Sequence, residues 1–363
     1  MATTTETARS ASMRAKQAKA IANGVSLASP LLYVITIGLD RSAKGQQISQ
    51  EGWRNVLWGE ASGLNYSWRI IKTRSSATVN TGEAGTRTFE AVDLLDTATV
   101  SYYNVEKTAM LAPRDKDLNK DDDTRLDNIW KRRVEDARDA IWSELAQIPW
   151  NENATNQNAG LSAIGPTEVA SGASYPYAGI SIVSTNTHWT PPHYHYGSPL
   201  SLTSNLVPIV AEVERRLTVS ENPGGGGRRI SPDFGACDPT LWSYLYQYVE
   251  SKLSFNVNGG SLPANANMFE NGFRNFQICG ITIFYDEYYG GDAGSIEGGA
   301  TDEIMFGHSK KMKFATSASR ATGFIRSIQE EESPVIAADV GVFKTGMFCF
   351  FMESPKFFAL AYT

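Results

Sequence analysis

The sequence predicts a mixed α+β fold. Three observations lead there: a long amphipathic segment from Asp121 to Trp150, a polar strand-and-turn excursion ahead of it, and apolar runs of strand and helix length after it. In the long segment Leu126, Ile129, Trp130, Val134, Ala137, Ile141, Leu145 and Ile148 draw one apolar stripe along a helix. Asp127, Lys131, Arg132, Glu135, Arg138, Asp139 and Glu144 fall on the opposite face. Asp121, Asp122 and Asp123 sit where anions favour a helix N-terminus, and Pro149 closes the run. At 1.5 Å per residue the helix would be about 40 Å long, a structural spine rather than one layer of a small enzyme.

The other elements follow in chain order. Residues 1–30 are Ala-, Ser- and Thr-rich and locally basic, and read as an arm with no apolar face for a core of its own. Leu31 to Leu39 is a short apolar anchor. Residues 53–112 read as β structure around a long loop: Tyr66, Trp68 and Ile70 alternate with Ser67, Arg69 and Ile71, so only the start of that strand is two-sided, Thr81 to Gly85 is a turn, and Thr97 to Tyr103 alternates again. A hairpin with so little apolar surface needs something to lie on. Beyond a Gly- and Asn-rich passage, Leu200 to Thr218 reads as a helix with Leu206, Ile209, Val210, Val213 and Leu217 on one face. Asp238 caps the next helix, with Pro239 at its first position and Leu241, Leu245, Val249 and Leu253 following. Strands are expected at Phe276 to Tyr285, Glu303 to Phe306, Lys313 to Thr316, Met347 to Met352 and Phe357 to Tyr362. The last two, joined around Ser354 and Pro355, would aggregate unless covered.

Composition narrows the function classes. The 363 residues, 42% hydrophobic and 20% charged, suit a globular body with an ample core. A formal net charge of -6 argues against a basic surface that holds nucleic acid along the whole chain. Cys237, Cys279 and Cys349 are scattered, as expected of thiols in a reducing compartment. Arg9, Arg14, Lys16 and Lys19 ahead of Leu31 to Leu39 imitate a signal peptide, but the polar lead is long, Pro30 interrupts, and Asp40 and Arg41 follow. No stretch reaches membrane-spanning length.

The motifs that suggest chemistry fail on physical grounds. Asp115, Asp117, Asn119, Asp121 and Asp123 have the spacing of a calcium loop, yet Lys120 stands where the turn needs Gly and Leu126 where the ion needs a bidentate Glu. The glycines at 224–227, followed by Arg228 and Arg229, lack the Lys-Ser/Thr of a phosphate loop. His188, His193 and His195 crowd one aromatic loop, where Pro191 and Pro192 prevent a helical zinc motif; His308 and Glu330 to Glu332 read as structural or solvated. The enzyme alternative is a metal-dependent hydrolase using the histidine-rich loop. The preferred reading is a protein without enzyme activity, catalytic group, metal or cofactor.

The order of these parts resembles the major capsid proteins of tailed bacteriophages, the shell-forming family with the Hong-Kong-97-type fold. Met1 to Pro30 looks like that family's N-terminal arm, Gly63 to Val100 like its extended loop, and Asp121 to Pro149 like its spine helix. Gly160-Leu161, Gly179-Ile180-Ser181 with Trp189, Cys237-Asp238-Pro239, Phe276 to Gly280 running into Ile283 to Asp286, and Met347 to Pro355 occur in an order associated with one branch of it. The pattern covers about residues 50–363. The resemblance implies an arm and anchor at 1–52, an extended loop region at 53–112, the spine helix of a peripheral domain at 113–160, a mainly axial α/β domain with returning peripheral strands at 161–335, and C-terminal strands at 336–363. It implies self-assembly as pentamers and hexamers into an icosahedral virion shell around double-stranded phage DNA, formed in the host cytoplasm. The implied partners are identical subunits, a portal protein, a separate scaffolding or decoration protein and the packaged DNA, with no membrane. No scaffold-like charged helical extension precedes the body, which implies either a separate scaffolding protein or none, and no lysine–asparagine crosslinking pair is matched. Arg69, Lys72 and Arg74 on the extended loop are the expected ionic contacts with a neighbour; Arg9, Arg14, Lys16 and Lys19 are expected to face DNA phosphates.

Overall fold

Two antiparallel ladders near the C-terminus join the main sheets, and the other elements are arranged around them. The structure is a computed structural model that describes residues 16, 17, 19–21, 24–39, 52–61, 63–71, 95–111, 114, 123–153, 158–164, 175–182, 189–195, 206–220, 229–253, 266–290, 303–317, 325–329 and 339–362. Its helices are α1 (Pro30–Thr36), α2 (Asp123–Gln147), α3 (Leu206–Leu217), α4 (Pro239–Leu253) and α5 (Ala266–Glu270). The first strands are β1 (Val56–Ala61), β2 (Asn65–Ile71), β3 (Leu95–Ser101), β4 (Glu106–Leu111), β5 (Glu152–Asn153), β6 (Asn158–Ala159), β7 (Tyr175–Tyr177), β8 (Ile180–Ile182), β9 (His193–His195), β10 (Val219–Ser220) and β11 (Arg229–Ile230). Then come β12 (Phe234–Cys237), β13 (Asn275–Ile278), β14 (Ile281–Tyr285), β15 (Glu303–Gly307), β16 (Met312–Ser317), β17 (Ile325–Gln329), β18 (Asp339–Thr345), β19 (Phe348–Met352) and β20 (Phe358–Tyr362).

Among the described residues the largest sheet has six strands in the order β13-β14-β12-β15-β20-β9. It is covered on both faces, which is why its strands read as near-continuous apolar runs. Ile281, Ile283, Ile304, Phe306, Ala359 and Ala361 meet α3 and α4 on one side. Phe234, Ala236, Phe284, Met305, Phe358 and Leu360 enter the main core on the other. A second sheet, β1-β16-β19, continues from the first: β15 pairs with β20, and their chain neighbours β16 and β19 pair with each other. A third, β17-β18-β4, lies against α2.

The helices follow the expected patterns. α2 spans 25 residues, about 37 Å. Val134, Ala137, Ile141, Leu145 and Ile148 are buried, while Lys131, Arg132, Asp139 and Glu144 are exposed. Asp121 and Asp122 lie outside the described residues, as do the side chains of Leu126 and Asp127. All five expected residues of α3 are buried. Asp238 caps α4 by accepting from the backbone N–H of Thr240 at 2.6 Å and of Leu241 at 3.0 Å.

Other regions depart from the sequence reading. Leu31 to Leu39 is an anchor, but its core is a helix: the Ser29 hydroxyl accepts from Leu32 N–H at 3.1 Å, Pro30 takes the first turn, and Leu31 to Thr36 are all buried. The arm's described end also packs into the body. Ile21 and Val25 are buried, and the Trp142 indole N–H donates to the Ile21 carbonyl at 3.0 Å. Gly24 permits this approach, since a Cβ there would lie 2.1 Å from the Trp142 ring. The run Phe276 to Tyr285 is a hairpin rather than one strand, turned by Cys279 (φ 51°) and Gly280 (φ 81°). Both central residues are left-handed, as in the tight turn of type I′. Ala178 (φ 50°) and Gly179 make the same turn between β7 and β8.

Two buried titratable groups sit at junctions. Asp286, at the end of β14, accepts from Leu31 N–H at 3.1 Å and Tyr288 N–H at 3.0 Å, so it fixes α1 against the six-stranded sheet. Burial pushes its carboxyl up to about 6, with hydrogen bonds from Tyr288 and Leu31 opposing the rise. His308, between β15 and β16, has Nε2 2.9 Å from the Leu217 carbonyl, and burial pushes it down to about 4. The ring is neutral at pH 7, so Nε2 is the donor in that bond.

The turn and the two buried groups are open to test. Asn at position 279 accepts the left-handed backbone better than Cys, and a β-branched residue accepts it worse. Cys279→Asn should therefore raise the unfolding free energy and Cys279→Val lower it, each by about 1 kcal/mol, read as opposite shifts of the denaturant midpoint. The stability that neutral His308 contributes is present above pH 6.5 and is lost as pH falls towards 4. Asp286 acts in the opposite sense: its contribution is present below 3.8 and is lost as pH rises through about 6. In thermal melts between pH 7 and 4, His308→Gln should flatten the loss of Tm on acidification and Asp286→Asn should steepen it.

Candidate functional site

The described base of the hairpin is a two-stranded ladder with two different faces. β2 and β3 run antiparallel with Tyr66 opposite Val100, Trp68 opposite Ala98 and Arg69 opposite Thr97. The period of two turns Ile70, Ala98 and Val100 inward, and leaves Asn65, Ser67, Arg69 and Thr97 exposed. On the outer face Ser67 and Thr99 hydroxyls share a hydrogen bond of 3.1 Å, and the Ser101 hydroxyl donates to Asn65 at 2.8 Å.

The inner face rests on the C-terminal seam. The Phe351 ring lies 4.9 Å from Tyr66 and 4.6 Å from Trp68, centroid to centroid. The Trp68 indole N–H donates to the Glu353 carbonyl at 3.0 Å. The Glu353 side chain is held between Lys311, at 2.6 Å, and Lys313. Burial raises this carboxyl, but the two ammonium groups outweigh it and keep it below the usual range. From the other side, Thr99 N–H donates to the carbonyl of the left-handed Ala178 at 2.9 Å. A ladder this short would not hold in water by itself; aromatic contact, an indole hydrogen bond and a backbone tether fix it to the body.

Leu64 is 81% exposed at the start of this ladder and Leu95 is 45% exposed at the far end of the described part. Arg69 is exposed on the outer face. Lys72, Arg74 and the turn from Thr81 to Gly85 lie outside the described residues. In the arm, Lys16 and Lys19 are exposed, and Arg9 and Arg14 lie outside the described residues. Sequence reading missed Phe351, Glu353 and Ala178 as supports, because each is far along the chain from the strands it holds.

The histidine-rich loop is described only in part. His193 and His195 lie in β9, whose backbone pairs in parallel with β20, and His188 and the side chains of His193 and His195 lie outside the described residues. Among the described residues no group of three or more His, Cys, Asp or Glu side chains could hold a metal ion, and nothing supports the hydrolase reading. The acidic sequence before α2, the glycines at 224–227 and Glu330 to Glu332 also fall outside the described residues, save Asp123, the first residue of α2. No described helix is long and apolar enough to cross a membrane.

No family model matches the chain, and no curated protein matches it. Solved structures do. One chain of the cyanophage A-1(L) capsid asymmetric unit superposes with a TM-score of 0.56 at 13% identity, over 92% of each chain. The capsid of the native GTA particle gives 0.53 at 10% identity, over 85% of this chain and 87% of that one. The capsid of the empty GTA particle, computed with C5 symmetry, gives 0.50 at 12% identity over the same shares. At such identities the likeness speaks for fold alone. This chain therefore has the α+β, Hong-Kong-97-type fold found in those capsids.

Proposed function

We propose that this chain is a tailed-phage major capsid protein, which builds a virion shell from copies of itself. The observation that carries this reading is the likeness to the cyanophage capsid chain, which spans 92% of both chains. A likeness of that extent leaves little of either polypeptide for an unrelated domain. The finer reading is an icosahedral shell of pentamers and hexamers enclosing double-stranded DNA and assembled in the host cytoplasm. In it the six-stranded layer with α3 and α4 is the axial domain, and α2 with β17-β18-β4 is the rigid peripheral strip. The hairpin is a limb that crosses a neighbour, with Arg69, Lys72 and Arg74 as its ionic contacts.

The physical support is the contrast between the two faces of that limb's described base. Its base is fixed by Phe351 and Glu353, while its polar outer face carries an exposed Arg69. A fixed base sets the direction of the limb, and the polar face allows contacts that vary from one neighbour to another. Arg9, Arg14, Lys16 and Lys19 suit an interior arm that neutralises phosphates without reading sequence. A portal protein and a separate scaffolding or decoration protein complete the proposed partners.

The test is sedimentation of the full chain expressed alone and with its neighbouring genes. The reading expects fast-sedimenting particles that micrographs show to be hollow, with no stoichiometric zinc. Arg69→Glu, which reverses an outward charge without touching the inner face, should reduce particle yield and leave the Tm of the free chain unchanged. Alanine at all four arm positions should yield particles that retain less DNA. Small oligomers under every condition, or zinc lost on mutating His188, His193 and His195, would count against the proposal.

A further inference from the structure

The arm and the long helix share one surface. Trp142 of α2 donates its indole N–H to the Ile21 carbonyl at 3.0 Å, and Gly24 lies close against the same ring. The described end of the arm is therefore docked on one flank of α2. Just ahead of Ile21, Lys16 and Lys19 are exposed. Residues three and four apart stack along a helix, so Lys131, Glu135, Arg138 and Trp142 form one stripe on that flank. The stripe is about 16 Å long. The Arg138 guanidinium lies 4.8 Å from the Trp142 ring centroid and pairs with Asp139 at 2.8 Å. Lys131 is exposed, and with Glu135 it has the cation ahead of the anion, the weaker order for such a pair. Among the described residues Lys16, Lys19 and Lys131 form no ion pair. The strip thus sets Lys16, Lys19, Lys131 and Arg138 against Glu135 and Asp139, a local excess of cations in a chain of formal net charge -6.

We infer that the docked arm and this flank of α2 make one track for the phosphate backbone of double-stranded DNA, with Lys16, Lys19 and Lys131 as its contacts and Arg138 beside them. The inference rests on the shell reading above, which puts DNA inside the particle, and adds to the arm a contact from the body of the fold. Unpaired ammonium groups are point charges, which neutralise phosphates without reading bases. A protein partner would need aromatic or aliphatic anchors at the centre of its contact. This strip offers none: Ile21 is buried, and Trp142 is half-buried beneath Arg138 and the arm. Docking also helps, because lysines already held near α2 lose less freedom on binding than lysines on a loose tail.

The test is binding of mixed-sequence DNA duplexes to the unassembled full chain, followed by fluorescence anisotropy across a salt series. The logarithm of the association constant should fall linearly with that of the salt concentration, by about 0.9 for each phosphate contacted. Lys131→Ala should reduce that slope by about one, as should Lys16→Ala and Lys19→Ala, alike for every duplex sequence and with the parent's Tm. Arg133→Ala is the control: Arg133 is exposed on the opposite flank of α2, so losing the same charge there should leave the slope unchanged. A parental slope in Lys131→Ala would overturn the inference. So would an equal loss in Arg133→Ala, which would make binding a matter of overall charge. A parent chain that binds polyglutamate but no duplex would overturn it too, in favour of an acidic protein partner. All of these outcomes are read on the free chain, so they stay distinct from a failure to form particles, which sinks the shell reading.

Discussion

The structure depends on the pairing of Phe348–Tyr362 with Glu303–Ser317. β20 joins β15 in the large sheet and β19 joins β16 in the next, so one pair of chain segments is hydrogen-bonded in both sheets and holds them together. Phe348, Phe350, Phe351 and Met352 in β19, and Phe358 in β20, are all buried. Other parts lean on the same segment. Tyr103 bridges to Phe348, the Met352 N–H donates to the buried Tyr177 hydroxyl at 2.6 Å, and the hairpin lies on Phe351. Loss of a buried Phe costs about 3–5 kcal/mol, a large part of a domain's total stability of about 5–15 kcal/mol. A segment that would aggregate if exposed is thus made safe by being the most shared part of the core.

Asp286 and His308 show how the polar groups inside this body are handled. Asp286 is fully enclosed, yet it remains a useful acceptor because the N–H groups at the start of α1 need a partner and a carboxylate supplies one. His308 is kept neutral beside the end of α3, where Leu217 offers a carbonyl that the helix itself cannot satisfy. Each group links segments that are distant in sequence, and each is set by burial more than by neighbouring charge. Glu353 is the contrasting case: it is only partly buried, and two lysines keep it ionised at the root of the hairpin.

Much of the fold was legible wherever one face of an element is buried and the other is wet. The apolar spacing of α3 matched its buried residues one for one, Asp238 and Pro239 marked the start of α4, and Tyr66, Trp68 and Ile70 marked the inner face of β2. Legibility failed where that contrast is missing. Leu31 to Leu39 is apolar on every side, so no period could separate helix from strand. Phe276 to Tyr285 hides its turn because Cys279 is not a residue that announces a left-handed backbone. β17 and β18 went unread as strands. The supports of the hairpin were invisible for a different reason: Phe351 and Ala178 act through tertiary contact, which spacing along the chain does not encode.

The functional account joins two scales. Within one copy, the aromatic seam makes a rigid body and fixes the root of a polar limb. Between copies, the proposed reading gives the polar outer face of that limb the contact with a neighbour. A single-particle reconstruction of the particles formed by the full chain tests this most directly. The account predicts a closed shell with fivefold and sixfold capsomers, each subunit keeping Trp68 on Phe351 while its hairpin crosses a neighbour. Discrete closed oligomers in which the hairpin folds back on its own body around an enclosed pocket would contradict it.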